Sequence, residues 1–467
     1  MSDHPQQALF DFYKSIIPDP AAFLSCALIP LAKTYWVNAL RTSKNVFDDT
    51  VSSSIGWNKY AYRYTGEQSL GTTWQYKIGL IQIQEEVSML PVKLLDPQPH
   101  EKIIDLCAAP GNKTAEIGVA MNNTGTLVAN DRNFQRMKAM GQIIRRVGLC
   151  NITMTVQDAL NYQAYPEYFD KVLVDAPCSC EGTFRKRPGK PVKPSPKQHR
   201  HLASRQIAIM KKAIQLCKPG GRIVYSTCTF APEENEGVVT AILNGFSNKV
   251  RIIPIKLDGF NWCEGISEWH GEQFHPDVKH TMRVWPHLNN TGGFYVAVFE
   301  KYQGDNFDYN IKDQVFESSA DITHYLDDLK QRYGFSSELM QQYILQQASN
   351  RGIYMVNRDH KIPEGLSKDV SGLVFMKTGT NFPKLATGAA AIIGKHASAN
   401  ILSLNDAQFD SYLKREDCVL LQDQLKNCAS TGFVIVFYKE HIAGLGLYLS
   451  AEGDKPPRLR SLFPKSI

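Results

Sequence analysis

The strongest constraint in the chain is a rhythm that starts at Lys102. Short apolar runs, Ile103 to Leu106, Thr126 to Ala129, Ile152 to Val156, Lys171 to Val174 and Arg222 to Tyr225, alternate with amphipathic stretches. Strand-length runs separated by helix-length segments predict βαβ units and a parallel sheet. Helices are expected to begin near Thr114, Arg132 and Ser204, and Lys218-Pro219-Gly220-Gly221 punctuates the last of them before its strand. Phe294 to Phe299, after Gly292-Gly293, reads as a closing antiparallel strand. The expected fold class is therefore α/β, a Rossmann-like sheet over residues 97–301, an ordinary domain size.

The whole chain has 467 residues, more than one core usually serves. Residues 1–96 read as a small α+β module with a strand from Tyr35 to Leu40, ending at Asp96-Pro97-Gln98-Pro99. Residues 302–335 read as a polar linker. Residues 336–467 read as a C-terminal region with a helix from Ser336 to Ser349 and later β runs at Gly432 to Phe437 and Ile442 to Leu449. With 43% hydrophobic and 21% charged residues the composition excludes a disordered chain. No apolar run nears the ~20 residues of a membrane helix, and the polar start lacks a signal peptide's pattern, so a cytoplasmic protein without a membrane partner is expected, read as a monomer. Ten cysteines fit neither a disulfide framework nor paired CxxC ligands. Free thiols and no metal are the expectation.

The net charge of +6 matters less than its distribution. Between Thr183 and Met210 no acid occurs, while Arg185, Lys186, Arg187, Lys190, Lys193, Lys197, Arg200 and Arg205 crowd together with His199 and His201. Such a stretch attracts a phosphate backbone and predicts RNA contact; a solvated basic loop is the alternative.

Three kinds of edge position carry candidate chemistry. The first strand runs into Cys107-Ala108-Ala109-Pro110-Gly111-Asn112-Lys113, a small-residue turn of the sort that lets a backbone approach a nucleotide. Asp131 ends the second strand, suited to ribose hydroxyls, and Asp158 follows the third, suited to an adenine amino group; each alone would equally serve as a helix cap. After the fourth strand comes Asp175-Ala176-Pro177-Cys178-Ser179-Cys180, and after the fifth Ser226-Thr227-Cys228-Thr229. Two cysteines on adjacent edges suit a reaction in which one thiolate adds to carbon 6 of a pyrimidine and a second thiol assists release. Asp175 could bond the ring N3, and Lys113 could supply positive charge beside the thiolate. The acids Glu233 and Glu234, if turned inward, would oppose ionisation of Cys228.

The runs CAAPGNKT, DAPCSCEGT and KPGGRIVYSTCTFAPEENE, with IQEEVSMLP before and GGFYVAVF after, resemble the NOL1/NOP2/Sun family of RNA cytosine-5 methyltransferases, over about Thr34 to Phe299. The resemblance implies a class I S-adenosylmethionine methyltransferase, with Cys228 the nucleophile, Cys178 the cysteine of product release, Asp175 the N3 partner and Lys113 a base or positioning group. It also implies cofactor contacts along Cys107 to Lys113 and at Asp131, Arg136, Asp158 and Asp175. DNA cytosine methyltransferases attack with the fourth-strand cysteine, here Cys178, and that swap is the mechanistic alternative. Residues 386–418 and 431–449 resemble the extension of the bacterial small-subunit ribosomal RNA methyltransferases of type F, implying a PUA-like RNA-binding end in which Arg458, Arg460 and Lys465 suit phosphate. Ribosomal RNA is the expected substrate, and transfer RNA the nearest alternative. A catalytically silent RNA-binding assembly factor and a small-molecule methyltransferase are further alternatives. Asn112, Cys180 and Arg187 depart from the family's usual residues.

Overall fold

The computed structural model describes residues 5–163, 165–187, 189–305, 309–349, 352–379 and 384–465. The first four residues of the polar start lie outside them. Helices α1 (Gln7–Tyr13) and α2 (Pro20–Ala27) precede a small antiparallel sheet in the order β2 (Ser52–Ile55), β3 (Asn58–Tyr64), β1 (Lys33–Val37), β4 (Ile81–Ile83). Short α3 (Trp74–Lys77) and α4 (Leu90–Leu95) lead into the main sheet.

Strands β5 (Lys102–Asp105), β6 (Thr126–Asn130), β7 (Ile152–Thr155), β8 (Phe169–Asp175) and β9 (Cys217–Thr227) form the parallel sheet in the order β9-β8-β5-β6-β7. Their middles are buried on both faces, as in Ile103, Ile104, Leu127, Val128, Val172 and Val224. That is why they read as continuous apolar runs rather than alternating ones. Residues 294–301 pair antiparallel with β9 as expected, and residues 282–284 extend that edge. The chain leaves β5 one way to β6 and β7 and the other way to β8 and β9. The reversal opens a crevice beside β5 at the carboxyl edge, where such sheets bind ligands.

Helices α5 (Asn112–Ala120), α6 (Phe134–Val147), α7 (Pro196–Leu216) and α8 (Glu236–Phe246) cover the sheet. Asn133 caps α6 through Arg136 N at 3.0 Å. The α7 helix starts eight residues before the expected Ser204, because Pro196 suits the first turn and the basic run continues it. The Lys218–Gly221 turn survives inside β9 as an irregularity in its register with β8. One fully buried ion pair, Arg283 with Glu236, ties α8 to the antiparallel edge, and Arg283 also donates to Phe230 O at 2.8 Å.

Two expectations fail beyond the sheet. Residues 302–335 are no linker: Asp313–Val315 pairs with Lys361–Pro363, and Thr323–Tyr333 is a helix whose Leu329 and Tyr333 join the C-terminal core. Charge on its exposed face hid the helix, since Asp327, Asp328, Lys330 and Arg332 occupy that sequence. The expected helix over 336–349 stops at Gln341, and Tyr343–Ser349 is a strand paired with Gly352–Asn357. Tertiary pairing overrides local propensity there. The C-terminal region carries two sheets, one ordered 343–349, 352–357, 373–377, 384–385, the other 401–404, 432–438, 441–449, 458–461, 418–419. Val370–Ser371 joins the main sheet at β7, so this region is anchored on the catalytic one.

Arg283→Ala is expected to destabilise the fold by about 3 to 5 kcal/mol, since it strands Glu236 as a buried charge. Denaturant unfolding would show it as a lower midpoint.

Candidate active site

Of the expected residues, Lys113, Asp175, Cys178 and Cys228 come together at the carboxyl edge of the sheet. The Lys113 ammonium, in the first turn of α5, lies 2.7 Å from Asp175 Oδ2, and Ser226 Oγ donates to Asp175 Oδ1 at 2.8 Å. The ends of β5, β8 and β9 are thereby joined. Burial works against the charge on Lys113, but Asp175, with Cys228 and Asp105 beyond it, outweighs that and raises its pKa. Held charged, Lys113 places an ammonium beside Asp175 and near the Cys228 sulfur.

The sulfurs of Cys178 and Cys228 lie 3.5 Å apart, and those of Cys178 and Cys180 3.9 Å apart. Backbone makes this approach possible. Gly182 N donates to Cys228 O and Gly293 N to Gly182 O, both at 2.9 Å. A Cβ on Gly182 would stand 2.3 Å from Gly293 O, so no side chain fits. Ser179 Oγ and Thr229 Oγ1, 2.6 Å apart, add a second tie between the two cysteine loops. Cys228 and Cys178 are half-buried and Cys180 exposed. S–H donation from Cys178 and Cys228 pulls Cys180 down to about 3, helped by Lys186 and Arg136. The same sharing pushes Cys178 up; for Cys228 the help from Cys178 is outweighed by Cys180 and burial, which push it up as well.

Although their sequence spacing lacks a metal-ligand pattern, these three sulfurs all lie within 4.8 Å of one another; no fourth histidine, cysteine or carboxylate joins them among the described residues. The acids suspected of opposing ionisation are otherwise engaged. Glu234 accepts from Ser179 N at 3.1 Å and Gln206 Nε2 at 2.8 Å, and Glu233 lies 3.8 Å from His199. The α8 helix begins only after them, at Glu236.

On the cofactor side, Ala108 and Ala109 are buried, Cys107 half-buried and Pro110 exposed. Gly111 has φ of 108°, and a Cβ there would meet Met140 Cγ at 2.2 Å, so the turn requires glycine. Asn112 is held by Gln82 Nε2 at 2.8 Å. Asp131 accepts from Asn133 N at 2.8 Å and lies 3.5 Å from Arg136, which also donates to Ala109 O. Asp158 caps the turn at Leu160 N and faces Arg205 at 3.6 Å. Asp105, which sequence reasoning passed over, is buried beneath the loop and accepts from Thr114 Oγ1 at 2.7 Å. Burial raises its pKa to about 7, against the Thr114 hydroxyl and with a contribution from Asp175. Its place directly before the small-residue turn was the available signal.

The basic stretch divides. Lys186, Arg187, Lys190, Lys193, Lys197, Arg200 and His201 are exposed. Arg185 is not an RNA contact: it is 2% exposed and donates to Ile29 O at 2.8 Å and Thr291 O at 2.7 Å. His199 is buried on Glu181 Oε1 at 2.8 Å, an acid that also holds the Tyr13 hydroxyl at 2.7 Å. Arg205 is turned toward Asp158, while Arg458 and Arg460 both lie near Asp417.

The family profile described as 16S rRNA methyltransferase RsmB/F matches residues 92–300. The chain is 33% identical over 302 residues to a tRNA (cytosine(49)-C(5))-methyltransferase of Pyrococcus abyssi, covering 62% of this chain and 94% of that one. It belongs to this methyltransferase family. It is also 34% identical over 297 residues to the ribosomal RNA small subunit methyltransferase F of Escherichia coli, covering 60% and 59%. A 28S rRNA (cytosine-C(5))-methyltransferase of Mus musculus is 37% identical over 243 residues, and the chain spans 30% of its length. Among solved structures, a methyltransferase homolog from Pyrococcus horikoshii aligns with a TM-score of 0.54 at 28% identity, over 63% of this chain and 94% of that one. The Rossmann-like methyltransferase fold is thus shared, and the cofactor is S-adenosylmethionine. The residues present fit it: Asp131 is an acceptor for a ribose at the end of β6, beside a turn with no bulky side chain. Among the described residues no helix is long and apolar enough to cross a membrane.

Two outcomes test this geometry. Asp105 binds its proton more tightly folded than unfolded, so stability falls as pH rises from the ordinary carboxylate range through about 7. The loss amounts to at most about 4 kcal/mol, and Asp105→Asn is expected to abolish it in urea midpoints taken across that window. Arg185→Ala strands several buried carbonyls and should cost roughly 3 kcal/mol of stability, with RNA affinity of the folded protein unchanged in filter binding.

Proposed function

We propose that the chain methylates carbon 5 of cytosine in RNA, with small-subunit ribosomal RNA the favoured substrate. The observation that carries this is the meeting of Cys228, Cys178 and the Lys113–Asp175 pair within one crevice. The target base is extruded into it, as enzymes acting on a base require. Asp175, fixed in orientation by Ser226 and Lys113, faces the N3 edge and passes to it a proton drawn from the Lys113 ammonium. The Cys228 sulfur, its proton released to solvent, bonds to C6 as a thiolate, N3 takes up a proton, and the displaced C5–C6 electron pair leaves C5 electron-rich. When bound, S-adenosylmethionine supplies the methyl that C5 accepts, held along Cys107 to Asn112 and at Asp131, Arg136 and Asp158. Cys178, having given its own thiol proton to solvent, then takes the C5 proton as a thiolate, the electron pair re-forms the C5–C6 double bond, the Cys228 thiolate leaves and N3 gives its proton back.

The exposed run from Lys186 to Arg200 draws the RNA backbone to the crevice mouth, and the N-terminal module and PUA-like C-terminal region add contacts. We read the protein as a cytoplasmic monomer. Transfer RNA is the second reading, favoured by the archaeal relative matched over 94% of its length. Methyl transfer to each purified RNA decides between them.

Cys178→Ala is expected to accumulate a covalent protein–RNA adduct on denaturing gels, and Cys228→Ala to form none and to transfer no labelled methyl. The reverse pattern would move the nucleophile to Cys178. An active Cys228→Ala protein would end the proposal.

A further inference from the structure

A cavity of about 500 Å3 lies away from the sulfurs, where α6 meets Lys77 and Ile78 of the N-terminal module and residues 373–388 and 442–445 of the C-terminal region. Its lining contains eight lysines and arginines and no acid. Two are engaged already. Arg41 donates to Ile78 O and to Ile442 O, and Arg146 lies 3.8 Å over the Tyr76 ring and donates to Gln82. Lys384 also lies 4.9 Å over the Phe433 ring, but it and Lys77, Arg145, Lys377, Arg415 and Lys465 form no ion pair with any described residue.

Six uncompensated cations around one concavity repel one another, and the fold holds them there. Burial, with repulsion from Lys377, lowers the pKa of Lys384. Low-dielectric walls of one sign focus the field inside the cavity, so an anion entering it gains more than at a flat surface. The cavity also communicates with the catalytic edge: Arg146 donates to Gln82, whose amide donates to Asn112 at 2.8 Å. From Arg136 to Arg146 along α6 is roughly 15 Å, about four nucleotides of a stacked strand.

We propose that this cavity takes the phosphodiester backbone of the substrate RNA, a few nucleotides away from the base in the crevice. The inference rests on the reading of RNA as substrate and assigns the junction between catalytic and C-terminal regions as a second docking point. It gives the C-terminal region a definite task, to complete a phosphate cradle whose catalytic-domain wall is α6.

The test uses the full-length double variant K377Q/K384Q and, from the opposite wall, R145Q. Filter binding of substrate RNA is measured between 50 and 200 mM salt, beside methyl transfer at saturating RNA. For the double variant the Kd is expected to rise about tenfold near 150 mM salt, and the slope of log affinity against log salt to fall by about 1.4, two phosphates' worth for a single strand. R145Q should lose about half that slope. The turnover number should stay within about twofold and the thermal midpoint unchanged. An unchanged Kd and slope in both variants overturns the proposal. So does tight binding of inorganic tripolyphosphate at fixed ionic strength that the substitutions remove while RNA affinity stays put, which would assign the cavity to a free polyphosphate. Failure of the methylation reading looks different: the wild type would transfer no methyl at any RNA concentration, while the binding slopes still report on the cavity.

Discussion

The ammonium of Lys113 is the interaction on which the site depends. It reaches from the first turn of α5 to Asp175 at the end of β8, and Ser226 at the end of β9 completes the line. Three strand ends that face the crevice are thereby fixed relative to one another by two hydrogen bonds to a single carboxylate. The sheet brings the loops to the same edge, but only side-chain chemistry sets their spacing to within bonding reach. The glycine crossing of Gly182 against Gly293 does the same for the sulfurs, since the Cys178 loop can approach Cys228 only where no Cβ intervenes.

That arrangement carries a cost in stability that falls on buried acids. Asp105 lies under the cofactor turn with its pKa raised to about 7, and Glu116, nearby on α5, is raised by burial to about 8. Packed hydrophobes would serve the fold better at those positions, whereas carboxyls offer hydrogen bonds to Thr114 and Gln84 that hold the turn and the N-terminal module in register. Behind the cysteines Glu234, raised by burial, accepts from Ser179 and Gln206, and the buried Glu181 bonds Tyr13 and His199. The polar scaffold behind the site is as extensive as the site itself.

The sheet and its edge residues were readable in the chain because both are local. Burial on two faces produces continuous apolar runs, and each functional residue follows its strand by a few positions. What could not be read came from distant pairing. Tyr343–Ser349 became a strand because residues 352–357 offered an edge, and the helix at 323–333 was masked by its own charged face. Arg185 looked like its neighbours in a basic run, yet the carbonyls of Ile29 and Thr291 arrive from elements far along the chain and draw it inward. Sequence gives the charge of a side chain and not its direction. The meeting of Cys178 and Cys228 was readable from their adjacent strand ends, whereas the place of Cys180 beside them was not.

Two basic surfaces therefore differ in kind. The run from Lys186 to Arg200 is contiguous in the chain and exposed, so it acts at long range, drawing in any polyanion. The cavity at the α6 junction is assembled from residues as far apart as Lys77 and Lys465, and its shape admits only what fits. Long-range attraction sets how fast RNA arrives, while a fixed concavity of unpaired cations restricts which backbone path is held once it has arrived. Since α6 carries both Arg136 near the cofactor turn and Arg145 in the cavity wall, one rigid helix sets the distance between the methylated base and the second grip. An RNA whose fold cannot span that distance would collide with the protein as often but be held less well, so selectivity among RNAs of equal charge would reside in this helix and not in the basic run.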